Sequence, residues 1–282
     1  MSFFQPVSGT VLSHDIADYP EGIVLPIDKP YRWTSADVIR KVKFAAFRHF
    51  RKKNLKVGHA GTLDPLATGV LLVCLGPACK RAQEFQDHDK EYVADIRFGA
   101  TTPSYDLEKE VDRTFPHDQV TEEAVRAVLP SFLGPQEQVA PLFSAKSVDG
   151  VRAYEMARKL YRHRDEADFD AAALEILHRS RITVHSATLE SFSPDGIPPR
   201  DKGPETVASS RIHVTDTSQL HLPHADVRIS CSKGTYIRAF ARDLGEALGT
   251  GAHLDALCRT RSGDYRVEDA LSLEETLKLF SW

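Results

Sequence analysis

The sequence predicts an α+β fold, a mixed and mostly antiparallel central sheet flanked by helices and loops. Three observations predict it. Apolar runs of strand length recur at residues 22–27, 70–75, 92–99 and 225–231; helical patterns fall between some of them; and the two kinds do not alternate in the regular order that builds parallel βαβ units. With 282 residues, 41% of them apolar, the chain is long enough to bury one large core. A single domain over residues 1–282 is expected, carrying surface insertions near 163–178 and 191–224.

The first strand, Gly22-Ile-Val-Leu-Pro-Ile27, is stopped at Asp28-Lys29-Pro30. A helix follows. Ser35 is placed to cap it, Asp37 sits in its first turn, and Val38, Val42, Ala46 and Phe50 recur at i+4 as a buried stripe. Residues 70–75 are apolar without a break, as in a strand buried on both faces. Residues 92–99 read as another strand, 121–129 and 151–160 as helices, and 225–231 as an alternating strand. Gly234 then turns the chain, and 236–248 form a helix that brings Arg238 and Arg242 onto one face. Ser272-Leu-Glu-Glu275 is a capping-box signature for the last helix. Residues 163–178 are acidic and alanine-rich, and 191–224 hold five prolines; both read as surface insertions.

No run of about 18 apolar residues occurs, and the start has neither the basic nor the apolar region of a signal peptide. A soluble, cytoplasmic protein with no membrane partner is expected. Cys74, Cys79, Cys231 and Cys258 form no C-x-x-C pair and no disulfide framework, so reduced, buried thiols are expected.

A net charge of -4 argues at first sight against a nucleic-acid partner, since phosphate binding leaves a basic footprint. The distribution reverses that inference. Residues 29–56 carry ten basic side chains and one acid, Asp37, a local charge of +9 that leaves about -13 on the rest. A solvated helix face explains part of this, but the cluster Arg48-His49-Phe50-Arg51-Lys52-Lys53 points to a surface that touches phosphates.

The chemistry centres on His59-Ala-Gly-Thr-Leu-Asp64-Pro-Leu-Ala-Thr-Gly69. Glycines at 58, 61 and 69 permit tight or left-handed turns, and Pro65 biases Asp64 toward an extended backbone, so the loop can aim one short carboxylate outward. Asp-Pro alone would more often open a helix, with Asp as N-cap and Pro at the first helical position.

The longer string, Gly-His-x-Gly-x-Leu-Asp-Pro-x-Ala-x-Gly, resembles the catalytic loop of the TruB family of tRNA pseudouridine synthases. Ile27-Asp-Lys-Pro30, Asp89-Lys-Glu-Tyr92 and Cys231-Ser-Lys-Gly-Thr-Tyr-Ile-Arg238 resemble three further family segments in the same order, and Pro141-Leu-Phe-Ser-Ala-Lys-Ser-Val-Asp-Gly150 with Tyr154 is similar to another. The resemblance covers roughly residues 22–273 apart from the two insertions. It implies the pseudouridine synthase fold and conversion of uridine to pseudouridine at position 55, in the T-loop of tRNA, with tRNA as partner, no obligate protein partner and a monomeric enzyme.

The resemblance also distributes roles. Asp64 is the catalytic carboxylate, Arg238 its counter-charge and Tyr92 the ring that stacks on the flipped base. His59 is an RNA wedge, Tyr236 lies beside Arg238, and Lys29 with Pro30 packs near the loop. Lys29, Lys52 and Lys53 count with the substrate-RNA contacts. The reaction breaks the bond from ribose C1′ to uracil N1 and rejoins C1′ to C5 without gain or loss of atoms. A carboxylate suffices, as nucleophile at C1′ or as base at the sugar, so neither a metal nor an organic cofactor is expected.

Two departures from the family stand out. Many bacterial members continue into a C-terminal RNA-binding PUA domain, for which the residues after Leu273 are too few, and Thr101-Thr-Pro-Ser-Tyr-Asp106 has Pro103 at the usual first acidic position, leaving Asp106 to the second. A catalytically silent RNA-binding or RNA-chaperone module on the same fold is the alternative, and intact Asp64, Tyr92 and Arg238 argue against it as sole function. A guide-RNA-dependent synthase of the dyskerin type would carry a PUA domain and lysine-rich tails. A metal hydrolase finds only His221 and His224, with no third ligand.

Overall fold

The computed structural model describes residues 3–141, 147–148, 151–152, 179–196 and 212–280. In chain order the elements are β1 (Ile23–Lys29), α1 (Ser35–His49), β2 (Val57–Ala60), β3 (Ala67–Leu75), α2 (Ala82–Asp87), β4 (Lys90–Phe98), β5 (Ala100–Thr101), β6 (Arg113–Thr114), α3 (Glu122–Val128), β7 (Gly134–Val139), β8 (Ser147–Val148) and β9 (Val151–Arg152). There follow β10 (Arg179–Ser193), β11 (His224–Cys231), α4 (Ile237–Ala247), β12 (Ala252–Ser262), β13 (Tyr265–Arg266), β14 (Leu271–Ser272) and α5 (Leu273–Lys278). Among the described residues no helix is long and apolar enough to cross a membrane.

The chain separates into two compact units. The first is built chiefly from Met1–Val93 and Ala256–Trp282, the second from Ala94–Pro199 and His213–Asp255. Each unit draws on distant stretches of sequence, and β4 and β12 each pass from one unit's residues into the other's.

In the first unit β1 runs antiparallel along the whole of β3, from Ile23 opposite Leu75 to Lys29 opposite Gly69. On the other edge of β3, β2 takes the far end antiparallel, and β12 takes the beginning in parallel, with Arg259 opposite Gly69. The loop between β2 and β3 therefore opens where β12 arrives. Residues 70–75 are fully buried, as an unbroken apolar run demands. Val24, Ala60, Val70, Leu72, Cys74, Ala78 and Phe85 form one cluster of this core. A buried side chain of this kind stabilises by about 1.5–3 kcal/mol.

Helix α1 buries the expected stripe, Val38, Val42 and Ala46, and the ring of Phe50, just after it, packs on that of Phe280, just after α5. Its cap differs from expectation. Thr34, extended at φ -75° and ψ 152°, accepts from Asp37 N–H and completes a capping box with the Asp37 carboxylate. Ser35 is already inside the helix and its hydroxyl is used elsewhere. The capping box expected at Ser272 is present.

In the second unit the strand order is β4, β11, β10, β7, with β10 antiparallel to both its neighbours β11 and β7. Helix α4 lays Ile237, Ala239, Phe240, Ala241 and Leu244 into this core. Three expectations change. The 15-residue strand β10 was not foreseen, and its last residues, 191–193, pair with β11 where a surface insertion was expected. Val151 and Arg152 form a short ladder with β8, not the start of a helix. The rest of that predicted helix, the insertion at 163–178, and most of the family-like stretch 141–154 lie outside the described residues.

Candidate active site

Asp64 sits at the first position of a tight turn: Ala67 N–H donates to the Asp64 carbonyl at 3.1 Å, with Pro65 next in the turn. Strand β3 follows at Ala67. There is no helix N-terminus for this carboxylate to cap, so the commonest reason for an Asp-Pro pair does not apply. Gly61 (φ +87°) and Gly69 (φ +95°) bracket the turn in the left-handed region, whereas Gly58 lies within β2 and needs no such freedom. Gly69 is required twice over, because a Cβ there would lie 2.2 Å from the Arg259 carbonyl oxygen on the paired strand.

The backbone on both sides of Asp64 is held by buried side chains. Ser35 Oγ accepts from Leu63 N–H at 3.0 Å and donates to the Leu63 carbonyl at 3.1 Å. Lys29 Nζ donates to the Pro65 carbonyl at 3.2 Å, and to those of Trp33 at 2.6 Å and Pro30 at 3.0 Å. Arg259 Nη2 donates to the Gly61 carbonyl at 3.2 Å and Nε to that of Val70 at 2.7 Å, spanning the loop from end to end. Asp28 Oδ1 accepts from Gly69 N–H at 3.0 Å. Neither neighbour of Asp64 can shift without breaking one of these bonds.

Lys29 and Arg259 are fully or almost fully buried, at 0% and 2% exposure. Lys29 is thereby removed from the RNA-contacting surface with which it was counted; it is internal scaffolding, and three carbonyls satisfy its three donors. Burial pushes its ammonium down to about 7, against the pull of the Asp64 charge, while the Arg259 guanidinium pushes the same way as burial. His59, half-buried, is also held below its ordinary value, first by burial and then by Arg259. Its Nδ1 is buried with no hydrogen-bond partner among the described residues.

Tyr92 is on β4 and only 9% exposed. The preceding Lys90 is buried and its ammonium donates to the Gln86 and His88 carbonyls, anchoring the start of that strand. Lys52 and Lys53 are exposed in the turn after α1.

Arg238 and Tyr236 belong to the second unit. Arg238, 6% exposed, places Nε 3.7 Å from Asp106 Oδ2 and donates from Nη1 to the Ser104 carbonyl at 3.0 Å. Asp106 is itself organised: Oδ1 accepts from Ser104 Oγ at 2.6 Å and from Glu108 N–H at 3.0 Å. One turn on, the Arg242 guanidinium lies over the Tyr105 ring at 5.4 Å, so the two arginines of one helix face grip residues 104–106 as their spacing requires. Tyr236, the residue before α4, is tied by its backbone to the Gln138 amide in both directions, at 2.8 and 3.1 Å.

Of the residues predicted from sequence, Lys29 and Asp64 share one constellation, and Arg238 shares another with Asp106. The tethers Ser35, Asp28 and Arg259 were not foreseen. The available signal was weak: an arginine within a strand whose neighbours are largely buried.

Comparison with known proteins decides the family. A model described as the TruB family pseudouridylate synthase N-terminal domain matches residues 48–192, and one described as the tRNA pseudouridylate synthase B C-terminal domain matches 238–282. The tRNA pseudouridine synthase B of Phocaeicola vulgatus is 45% identical, over 91% of this chain and 92% of that one. The chain belongs to the TruB family of pseudouridine synthases. Like-named proteins of Bacteroides thetaiotaomicron and Flavobacterium johnsoniae are 48% and 40% identical, over 91% and 93% of this chain and 92% and 98% of theirs. Among solved structures, a Cbf5-Nop10-Gar1 complex gives a TM-score of 0.56 at 25% identity, covering 92% of this chain and 54% of that one. The archaeal box H/ACA sRNP Nop10-Cbf5 complex gives 0.54 at 22%, with the same coverage. This TruB-family enzyme spans about half the length of those chains and shares their α+β pseudouridine synthase fold. Its C-terminal family match begins at Arg238 and includes Arg259, and the N-terminal match takes in Asp64 and Asp106, whereas Asp28, Lys29 and Ser35 precede it.

Proposed function

We propose that this synthase isomerises the uridine at position 55 in the T-loop of tRNA, with Asp64 as its catalytic carboxylate. The observation that carries the proposal is the restraint around Asp64, whose two neighbours are bound by Ser35 and Lys29 inside a loop clamped at both ends by Arg259. The names of the relatives supply the RNA class, and the family resemblance supplies the loop uridine.

In the reaction the C1′–N1 bond breaks, uracil turns in place, C1′–C5 forms, N1 is protonated and the C5 proton leaves. Asp64 serves as nucleophile at C1′ or as base at the sugar, and preorganisation sets its aim. The counter-charge role of Arg238 comes from the family; its buried pairing with Asp106 keeps the guanidinium oriented. Unstacking the uridine costs a few kcal/mol, which Tyr92 offsets by about 1–3 kcal/mol of stacking. His59, held toward its neutral form, wedges into the space the base leaves. A tRNA-folding activity can coexist with this chemistry, since opening the loop is common to both.

The test is to incubate the protein with unmodified tRNA transcript and map pseudouridine, beside Asp64→Asn. Modification at the T-loop uridine by the wild type alone is expected. No modification by the wild type sinks the assignment, and full activity in Asp64→Asn sinks the mechanism while leaving the fold untouched.

A further inference from the structure

We propose that the outer face of α1 is a second docking surface for RNA, where Phe44 and Arg48 receive an unpaired base of the same tRNA outside its T-arm stem-loop. This rests on the tRNA reading above and deepens it. Phe44 is 61% exposed, and an isolated exposed ring is ordinary. Its setting is not. Arg40, Lys41, Lys43, Arg48, Arg51, Lys52, Lys53 and Lys56 are all exposed along α1 and the turn after it. The one acid of the segment, Asp37, is engaged by the Thr34 cap and by Arg40 at 2.8 Å.

Two cation–ring pairs lie on this face, with the Arg48 guanidinium 5.6 Å from the Phe44 ring centre and the Lys43 ammonium 5.3 Å from that of Phe47. A cationic surface with a solvent-facing ring is how a protein holds single-stranded nucleic acid: cations track phosphates, and the ring stacks a base of any identity. A membrane would need a broad apolar stripe, and this face has one exposed large hydrophobic residue.

The face is also measured against Asp64. Ser35 ties the first turn of α1 to Leu63, and Phe44 comes nine residues later, roughly 14 Å along the helix at about 1.5 Å per residue. A base stacked there cannot be the flipped uridine or its immediate neighbours. The stem of the T-arm offers only paired bases, and a further base of its loop would show itself by equal KM effects on full-length tRNA and on the stem-loop.

The experiment compares Phe44→Ala, Phe44→Leu and Phe44→Trp on full-length tRNA and on the isolated T-arm stem-loop, reading kcat and KM separately. On full-length tRNA, Ala and Leu should raise KM about 10-fold with kcat unchanged, as loss of one stacked base predicts. Trp should keep the wild-type KM, and its fluorescence should be quenched by tRNA. On the stem-loop all four proteins should behave alike. Exchanging Lys52 and Lys53 for Gln should flatten the salt dependence of tRNA binding. Equal KM effects on both substrates, no effect on either, or tight binding of anionic vesicles that Phe44→Ala abolishes would each overturn the proposal. Direct binding of tRNA to wild type and Phe44→Ala keeps the result separable from the first reading: absent pseudouridine condemns the substrate assignment, unchanged affinity condemns this surface.

Discussion

The two constellations of this enzyme are held in different ways. Around Asp64 the grip is on backbone, since Ser35, Lys29, Arg259 and Asp28 bind amides and carbonyls of the loop. Around Arg238 a side chain shares the grip, since Asp106, oriented by Ser104, faces the guanidinium while the Ser104 carbonyl accepts from it. A backbone-held group feels every change in the loop's shape but tolerates a change in which residue does the holding. A side-chain-held group depends on one partner's identity.

The largest effect that sharpens this comparison should come from Arg259. Arg259→Met strands the Gly61 and Val70 carbonyls in a dry site, at about 1–3 kcal/mol each, and lets the loop drift; a 1 Å displacement typically costs 10²-fold in rate. Lower stability by denaturant melting and a kcat reduced about 100-fold at near-normal KM are expected, with Arg259→Lys recovering part of both. Because Lys29→Met loosens the same loop, the double variant should lose at least 0.5 kcal/mol less than the sum of the singles. Strict additivity would break the idea of a common clamp.

A smaller effect belongs to the other constellation. Asp106→Asn keeps the shape but removes the charge facing the buried Arg238, and should lower kcat about 10-fold and also lower stability, because the guanidinium is left without its counter-charge. In an Arg238→Ala background the same change should add nothing to the rate defect. A full additional 10-fold loss there would show that Asp106 acts independently of Arg238.

The smallest effect is a slope in pH. Lys29 binds its proton with a value of about 7 when folded against an ordinary 10.5. Between those values the unfolded chain holds the extra proton, so this site's contribution is poorest below pH 7 and improves as pH rises toward 10.5, by at most about 1.4 kcal/mol per unit. Melting curves from pH 7 to 9 should therefore show the wild type gaining relative to Lys29→Met. A parallel pair of curves would mean that the carbonyl cage holds the lysine charged throughout.

What was legible in the sequence follows from this same contrast. Asp64, Tyr92 and Arg238 stand in strings of characteristic residues, and the α+β architecture followed from apolar runs and caps. The backbone tethers left no such trace, because a carbonyl that accepts a bond looks the same in every residue. Lys29 read both as packing near the loop and as one more cation of a basic stretch; the strand pairing that buries it keeps the first and removes the second. Thr34 and Ser35 are both good caps, and the extended backbone of Thr34, not its side-chain type, decides between them. Strand β10 escaped notice because its register shifts between Val184 and Ser186 and again between Leu189 and Ser191, so its alternation slips phase twice.

Arg259 reaches the Gly61 carbonyl across 198 residues of chain. During synthesis at about 5–20 residues per second, Asp64 is made roughly 10–40 s before the arginine that secures its loop. Closing so distant a contact is entropically slow, and the strands it joins sit within a unit drawn from both ends of the polypeptide. The nascent enzyme thus carries its carboxylate long before it can aim it, and catalytic competence arrives as one of the last events of folding.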